Sequence, residues 1–324
     1  MKKVVVFGGG TGLSCLLSGL KLFPVEVTTV ITVSDNGSST GVLKQEFDIP
    51  AVGDVGKVLL AMANADDDLV KLLSYRFHRE GSSLDNHPVR NILLTALIDL
   101  KGSLTEATRY MCRLLGIRGD VLPLTEERVD LVGRGAQSGE EFFGEESVSQ
   151  NIRNISSLSY DHDIHISNAV KHSIAASDLI IFSPGSLYTS ILPHLIVKDI
   201  VDEIRRARAP IMYVSNLVTQ PGETDNYNVS DHLRVLNRYL GERNVDVVIG
   251  NNARIDPEIA SRYLESEGKT LVELDRDAIA AQGAHIIEDE IFSIDSEQKI
   301  RHNALKTAFL IFSYLMEREK RADS

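Results

Sequence analysis

The residues with the clearest chemical potential are four glycines within five positions, Gly8, Gly9, Gly10 and Gly12, with Thr11 among them. They follow a β-branched run, Lys3–Phe7, and precede an apolar helical segment from about Leu13. Glycines let the chain turn sharply off a strand and let a phosphate approach the main chain. The helix behind them aims its unpaired N–H groups and positive dipole end at that phosphate. Gly9, Gly10, Thr11 and Gly12 are therefore expected to bind an anion through backbone, most simply the phosphate of a nucleotide. The spacing is not the dinucleotide fingerprint, because G-x-G-x-x-G counted from Gly8 puts Leu13 at the third glycine.

Four further clusters of small and polar residues follow. In Ser34–Gly41, Asp35 and Asn36 could coordinate a hard cation or hold a substrate hydroxyl. Asp-Asn-Gly is equally ordinary Asx-turn chemistry, and the residues alone leave both readings open. In Ser183–Ser190, Gly185 and Ser186 can offer main-chain and hydroxyl donors to a second anion, or simply cap a helix. Ser215-Asn216 leads into Thr219–Thr224, and Gly250-Asn251-Asn252 closes the series. Asp161-His162-Asp163-Ile164-His165 superficially resembles a metal cluster, but no second ligand group stands at zinc spacing, so a solvated loop is expected. Ser-His-Asp order, HExxH and a Walker A lysine are absent, so spacing alone nominates no nucleophile or general base.

Each cluster comes after a short, nearly continuous apolar run, the pattern of a parallel strand buried on both faces. The runs are Lys3–Phe7, Val27–Val33, Asp178–Phe182, Pro210–Val214 and Val245–Ile249. Helical patterns separate them, among them Leu13–Leu22, Val55–Ala63, Arg90–Leu100, Val229–Gly241 and Asn303–Glu319. Strands alternating with helices predict an α/β, doubly wound sheet. In such a sheet all strand carboxyl ends share one edge, so the five clusters converge on a single cleft that includes Asn252. From Gly119 to about Asn154 the chain is Gly- and acid-rich with short alternation, which predicts a β-hairpin-type insertion at about 119–156. No linker divides the rest, so one domain spanning 1–324 is expected.

The totals narrow the classes. The chain has 324 residues, 43% hydrophobic and 25% charged, with a net charge of −12. That charge argues against a nucleic-acid or anionic-membrane surface. Cys15 and Cys112 form no CxxC pair and are expected to be free thiols, Cys15 on the apolar face of the first helix. The apolar run after Met1-Lys2-Lys3 stops at Gly8, so no secretory signal is expected, and a cytoplasmic location follows. The C-terminal helix, with Leu305, Phe309, Phe312, Leu315 and Met316 at helical spacing, suits core packing or a homo-oligomer contact rather than a membrane span.

Together, GGGTG (Gly8–Gly12), VSDNGSSTG (Val33–Gly41), PGSLYTSILP (Pro184–Pro193), N-x-x-TQ-x-GET (Asn216–Thr224), SDH (Ser230–His232) and IRH (Ile300–His302) resemble the gluconeogenesis-factor family. That family lies within the superfamily of 2-phospho-L-lactate transferase. The resemblance runs from Lys3 to about Glu317. It implies a Rossmann-like α/β/α fold that binds a nucleotide sugar, typically UDP-N-acetylglucosamine, and a role in cell-wall metabolism and cell shape during gluconeogenic growth. By motif match, Gly10, Thr11 and Gly12 would hold phosphate, and Asp35 would take the acid position of the second loop. Gly185, Ser186 and Asn216 would complete the pocket, with Tyr263 and Arg301 at its C-terminal side.

The chain departs from the family at two places. The family reads G-D-I-R-N where this chain has Gly53-Asp54-Val55-Gly56-Lys57, and G-H-S-x-G-N where it has Asn86-His87-Pro88-Val89-Arg90-Asn91. Arg90 is expected to fill the volume left at Gly56 and keep a positive charge at the cleft, with Lys57, His87 and Asn91 as further anion contacts. The rival class is a metal-dependent transferase in which Asp35 holds a metal such as magnesium or an acceptor hydroxyl. Transfer at phosphorus usually needs metal-holding carboxylates. The second loop offers only Asp35, with Asn36 and Ser38 beside it, and that favours binding.

Overall fold

The computed structural model describes residues 1–136 and 139–322. Its centre is a seven-stranded, all-parallel sheet. Three of its strands come first, β1 (Lys2–Gly8), β2 (Val25–Ile31) and β3 (Gly119–Pro123). Next come three antiparallel strands, β4 (Leu131–Gly135), β5 (Glu141–Phe143) and β6 (Ile155–Tyr160), forming a small sheet of their own. The chain then returns to the main sheet with β7 (Leu179–Phe182), β8 (Ile211–Val214), β9 (Val247–Asn251) and β10 (His285–Asp289). A hairpin of β11 (Phe292–Ile294) and β12 (Ile300–His302) precedes the C-terminal helix, Ala304–Ala322.

The order across the sheet is β10-β9-β8-β7-β1-β2-β3. The chain winds outward from β1 in one direction and then, from β7, in the other. The strand order therefore reverses at β1, and the crevice outside the carboxyl ends of β1 and β7 is where such sheets bind ligands. β7 and β8 are buried at every position, as their unbroken apolar sequence requires. Phe7 and Phe182 stack across β1 and β7 at 5.6 Å between ring centroids.

Helices flank the sheet, giving the α/β/α, Rossmann-like architecture expected. The first seven are α1 (Gly10–Leu20), α2 (Ser38–Phe47), α3 (Gly53–Met62), α4 (Asp67–Ser74), α5 (Val89–Lys101), α6 (Leu104–Leu114) and α7 (Glu145–Gln150). α1 packs its Leu13, Leu16, Leu17 and Leu20 into the core. The C-terminal helix lies against α1 and buries Ala308, Ile311 and Leu315, while Leu305 and Phe309 stay exposed. Among the described residues no helix is long and apolar enough to cross a membrane.

Two parts of the sheet escaped the sequence reading. Gly119–Pro123 pairs in parallel with β2, so the antiparallel piece begins at Leu131 rather than at Gly119. β10 is an edge strand with no fully buried residue, and its weaker apolar pattern hid it.

Candidate functional site

Gly8 ends β1 and Gly10 begins α1, so the glycine loop is only the joint between a central strand and a helix. Gly10 has φ +67, the left-handed region that glycine enters without steric cost. Gly9 occupies the N-cap and supplies no side-chain hydrogen bond. The first-turn amides of a helix have no intrahelical partners, and here Gly9, Gly10, Thr11 and Gly12 line a cavity, with the Gly10 amide taken by Asp54. A Cβ at Gly12 would lie 2.2 Å from the Pro184 carbonyl oxygen. Only glycine lets the loops after β1 and β7 touch.

The cavity measures about 520 Å³ and also takes in Gly185, Ser186, Thr189, Ser190, Asn216 and Arg301. Its cationic side comes from Arg301 on β12 and from Lys269, each with an acidic neighbour, Asp295 and Glu267 respectively. His302 closes this end. Its Nε2 is 2.9 Å from the Ser215 carbonyl, and burial pushes its pKa down to about 4, so the ring is neutral. Gln220 also lines the cavity, and its buried Oε1 has no hydrogen-bond partner.

The loop after β7 is organised differently. Ser186 donates to the Glu223 carboxylate, and the amides of Leu187 and Tyr188 donate to it as well. Burial raises the Glu223 pKa, opposed by those donors. Ser186 also accepts from the Thr189 amide, and the segment Leu187–Ile191 winds as one wide turn closed by Ile191 N–H to Ser186 O at 3.2 Å. Asn216 locks Gly185 from both sides, accepting its N–H at 3.0 Å and donating to its C=O at 2.8 Å. Glu223 of TQ-x-GET thus takes the Ser186 hydroxyl and Asn216 the Gly185 N–H, the two donors expected to meet a second anion.

The acidic side is richer than the second loop suggested. Asp35 accepts the Gly37 N–H at 2.9 Å in an Asx turn. Asp54, in the first turn of α3, accepts the Gly10 N–H at 3.1 Å and pairs with Lys57 at 2.8 Å. Glu145, at the start of α7, lines the cavity. Burial raises the Asp35 pKa, and Asp54 raises it further. Burial also pushes Glu145 up to about 7, with repulsion from Asp35 and Asp54 added. Lys57 holds its proton more tightly than usual, because attraction to Asp54 and Asp35 outweighs its own burial.

Several expected site residues have other roles. Asn36 accepts the Glu146 N–H at 3.1 Å, fastening α7 to the second loop. Ser38 is exposed, with φ +34. Tyr263 is buried, and its hydroxyl accepts the Ile300 N–H at 2.6 Å, so it positions β12 and Arg301 from behind. Asn252 lies outside this cavity and lines the adjacent cleft, where its amide bonds to Asp289. His87 and Asn91 both face Ser39, at 2.9 and 3.3 Å. Arg90 does pack on Gly56, its Cδ 3.0 Å from where a Cβ would stand. Cys15 is free and half-buried, and its thiol donates to the His302 carbonyl at 3.1 Å.

Glu145, Ser149, Thr189, Gln220 and Lys269 were not singled out from sequence. Gln220 lies inside the TQ-x-GET signature and could have been found there. Glu145 carries no local signal except its place after Gly144, whose φ is +84.

The family model described as 2-phospho-L-lactate transferase CofD matches residues 4–292. A Thermotoga maritima protein whose name includes the words gluconeogenesis factor is 42% identical over 314 residues, covering 95% of this chain and 98% of that one. The Bacillus subtilis gluconeogenesis factor is 36% identical over 316 residues, 97% of this chain and 98% of its own length. A crystal structure of a Bacillus halodurans protein superposes with a TM-score of 0.90 at 36% identity, covering 96% of this chain and 99% of that one.

Proposed function

This chain belongs to the 2-phospho-L-lactate transferase CofD family, and from that membership we propose that it is a nucleotide-sugar-binding factor. The ligand is of the UDP-N-acetylglucosamine type, and the role is regulatory, in wall metabolism and cell shape during gluconeogenic growth. The name borne by the Bacillus subtilis relative supports the gluconeogenic setting.

One observation carries the binding role. The start of α1, where Asp54 takes only the Gly10 amide, lines a cavity that Arg301 and Lys269 also line. A diphosphate in this cavity has both backbone N–H groups and cations within its lining. These contacts bind and orient. None of them is a poised nucleophile.

The rival reading is a metal-dependent transferase, and Asp54 and Glu145 give it more acid than Asp35 alone would. Yet no group of three acids, histidines or cysteines among the described residues is placed to hold a metal ion. Both Asp54 oxygens are also engaged, by Gly10 and Lys57. The arrangement therefore does not fit a formed magnesium site.

Calorimetric titration with UDP-N-acetylglucosamine, GDP and NAD, with and without magnesium, tests the proposal. Saturable binding of the UDP-sugar without magnesium is expected. Magnesium-dependent GDP binding would replace the proposal with the transferase, and tight binding of NAD alone would overturn both.

A further inference from the structure

Arg76 follows α4, and Arg90 lies in the first turn of α5. In an acidic chain rich in ion pairs, neither guanidinium has a carboxylate partner among the described residues. Arg76 donates only to the backbone carbonyl and side-chain oxygen of Asn86. The Nε of Arg90 is buried and bonds to nothing. Burial works against the Arg90 charge, and Arg76 beside it adds repulsion. Lys57 in turn feels the charge of Arg90. An isolated antiparallel bridge sets Arg76 opposite Pro88, two residues before Arg90, and so brings the two arginines into one neighbourhood.

A buried donor without a partner needs a physical explanation, and so do adjacent like charges in a partly desolvated place. The chain makes specific room for this pair, since any side chain at position 56 would press on the Arg90 stem. Neither arginine is fully buried, and each keeps part of its surface exposed, although the Arg90 Nε itself is covered. Planar guanidinium forks match the oxygens of a phosphate and can bind it bidentately.

We propose that Arg76 and Arg90 form a second oxyanion site, specific for a phosphate group and separate from the glycine loop. Asp54 and Lys57 stand between the two sites, Asp54 holding Gly10 through one oxygen and Lys57 through the other. The proposal rests on the guanidinium pair and not on the nucleotide-sugar reading. The phosphate could be free, or it could belong to the molecule held at the glycine loop, and the two sources are separable.

The test follows the side-chain 15Nε resonance of Arg90, assigned by its loss in Arg90→Lys. Sodium phosphate and UDP-N-acetylglucosamine are titrated separately and together, at ionic strength matched with sodium chloride. Phosphate is expected to move the resonance saturably, with UDP-N-acetylglucosamine neither moving it nor competing. Arg76→Met, which leaves the packing on Gly56 intact, is expected to weaken phosphate about tenfold, the effect of losing one charge-assisted contact. A phosphate response no larger than that of chloride overturns the site. Displacement of phosphate by UDP-N-acetylglucosamine overturns its separateness while supporting the nucleotide-sugar reading. If the UDP-sugar binds nowhere and phosphate still moves Arg90, the nucleotide-sugar reading falls and the second site stands.

Discussion

The loops after β1 and β7 leave neighbouring strands, turn on small residues and enter helical turns side by side, yet their donors end differently. After β7, Ser186 and the amides of Leu187 and Tyr188 close on the Glu223 carboxylate. After β1, the N-cap Gly9 has no side chain to offer, and the Asp54 carboxylate takes only the Gly10 amide. Both loops meet an acid of the fold, but Glu223 gathers several donors of its loop whereas Asp54 takes a single amide of the other. A strand, a small-residue loop and a helix are therefore not enough to define a phosphate site. What matters is whether the protein already supplies the acceptor.

The comparison breaks most directly at the joint between the loops. Gly12→Ala puts a Cβ 2.2 Å from the Pro184 oxygen, and is expected to cost about 3 kcal/mol, the upper range for over-packing, in urea unfolding. A loss within 0.5 kcal/mol of zero would mean the loops are not held together there. Glu223→Ala leaves the Ser186 and Tyr188 donors without their acceptor, and a loss of about 2 kcal/mol is expected. Glu223→Gln keeps an acceptor and should recover roughly half of that. Equal losses for the two substitutions would show that charge, not hydrogen bonding, organises the loop. Tyr263→Phe removes the acceptor of the Ile300 amide, for about 1 kcal/mol in stability and a weaker UDP-sugar interaction through displaced Arg301. Calorimetry that shows unchanged affinity would detach Tyr263 from the site.

The smallest effect sharpens the open side of the comparison. Glu145 is held up to about 7 from an ordinary 4.5. Between those values the folded chain keeps a proton that the unfolded chain has released, so stability falls as pH rises through the window and levels off above it. Ionised Glu145 also places a negative charge at the cavity. Affinity for a nucleotide diphosphate in magnesium-free buffer should drop roughly fivefold between pH 6 and 8, the effect of about 1 kcal/mol of repulsion. Glu145→Gln should flatten both profiles, and a pH dependence that survives the substitution would assign the titration to another group.

Much of the architecture was readable because burial leaves a local mark. Continuous apolar runs marked β1, β2, β7, β8 and β9, and the residues after them marked the working edge of the sheet. β3 was missed because Gly119-Asp120 resembles a loop, and its partner β2 lies almost a hundred residues away in sequence. In the site, Gly9–Gly12, Gly185, Ser186, Asn216 and Arg301 do share one cavity. Arg90 against Gly56 was also foreseeable, since a lost side chain and a gained one compensate in volume.

The sequence by itself determined the glycine loop, the helix that follows it and the edge where both must lie, because these depend on neighbouring residues and backbone stereochemistry. Only the tertiary structure decided which donors remain open. The Asp54 carboxylate meets the Gly10 amide from 44 residues away, and Glu223 meets Ser186 from 37. Glu145 arrives on a helix that Asn36 fastens from 110 residues back. A hydrogen bond depends on distance and direction in space, so no spacing along the chain records whether a donor has been satisfied.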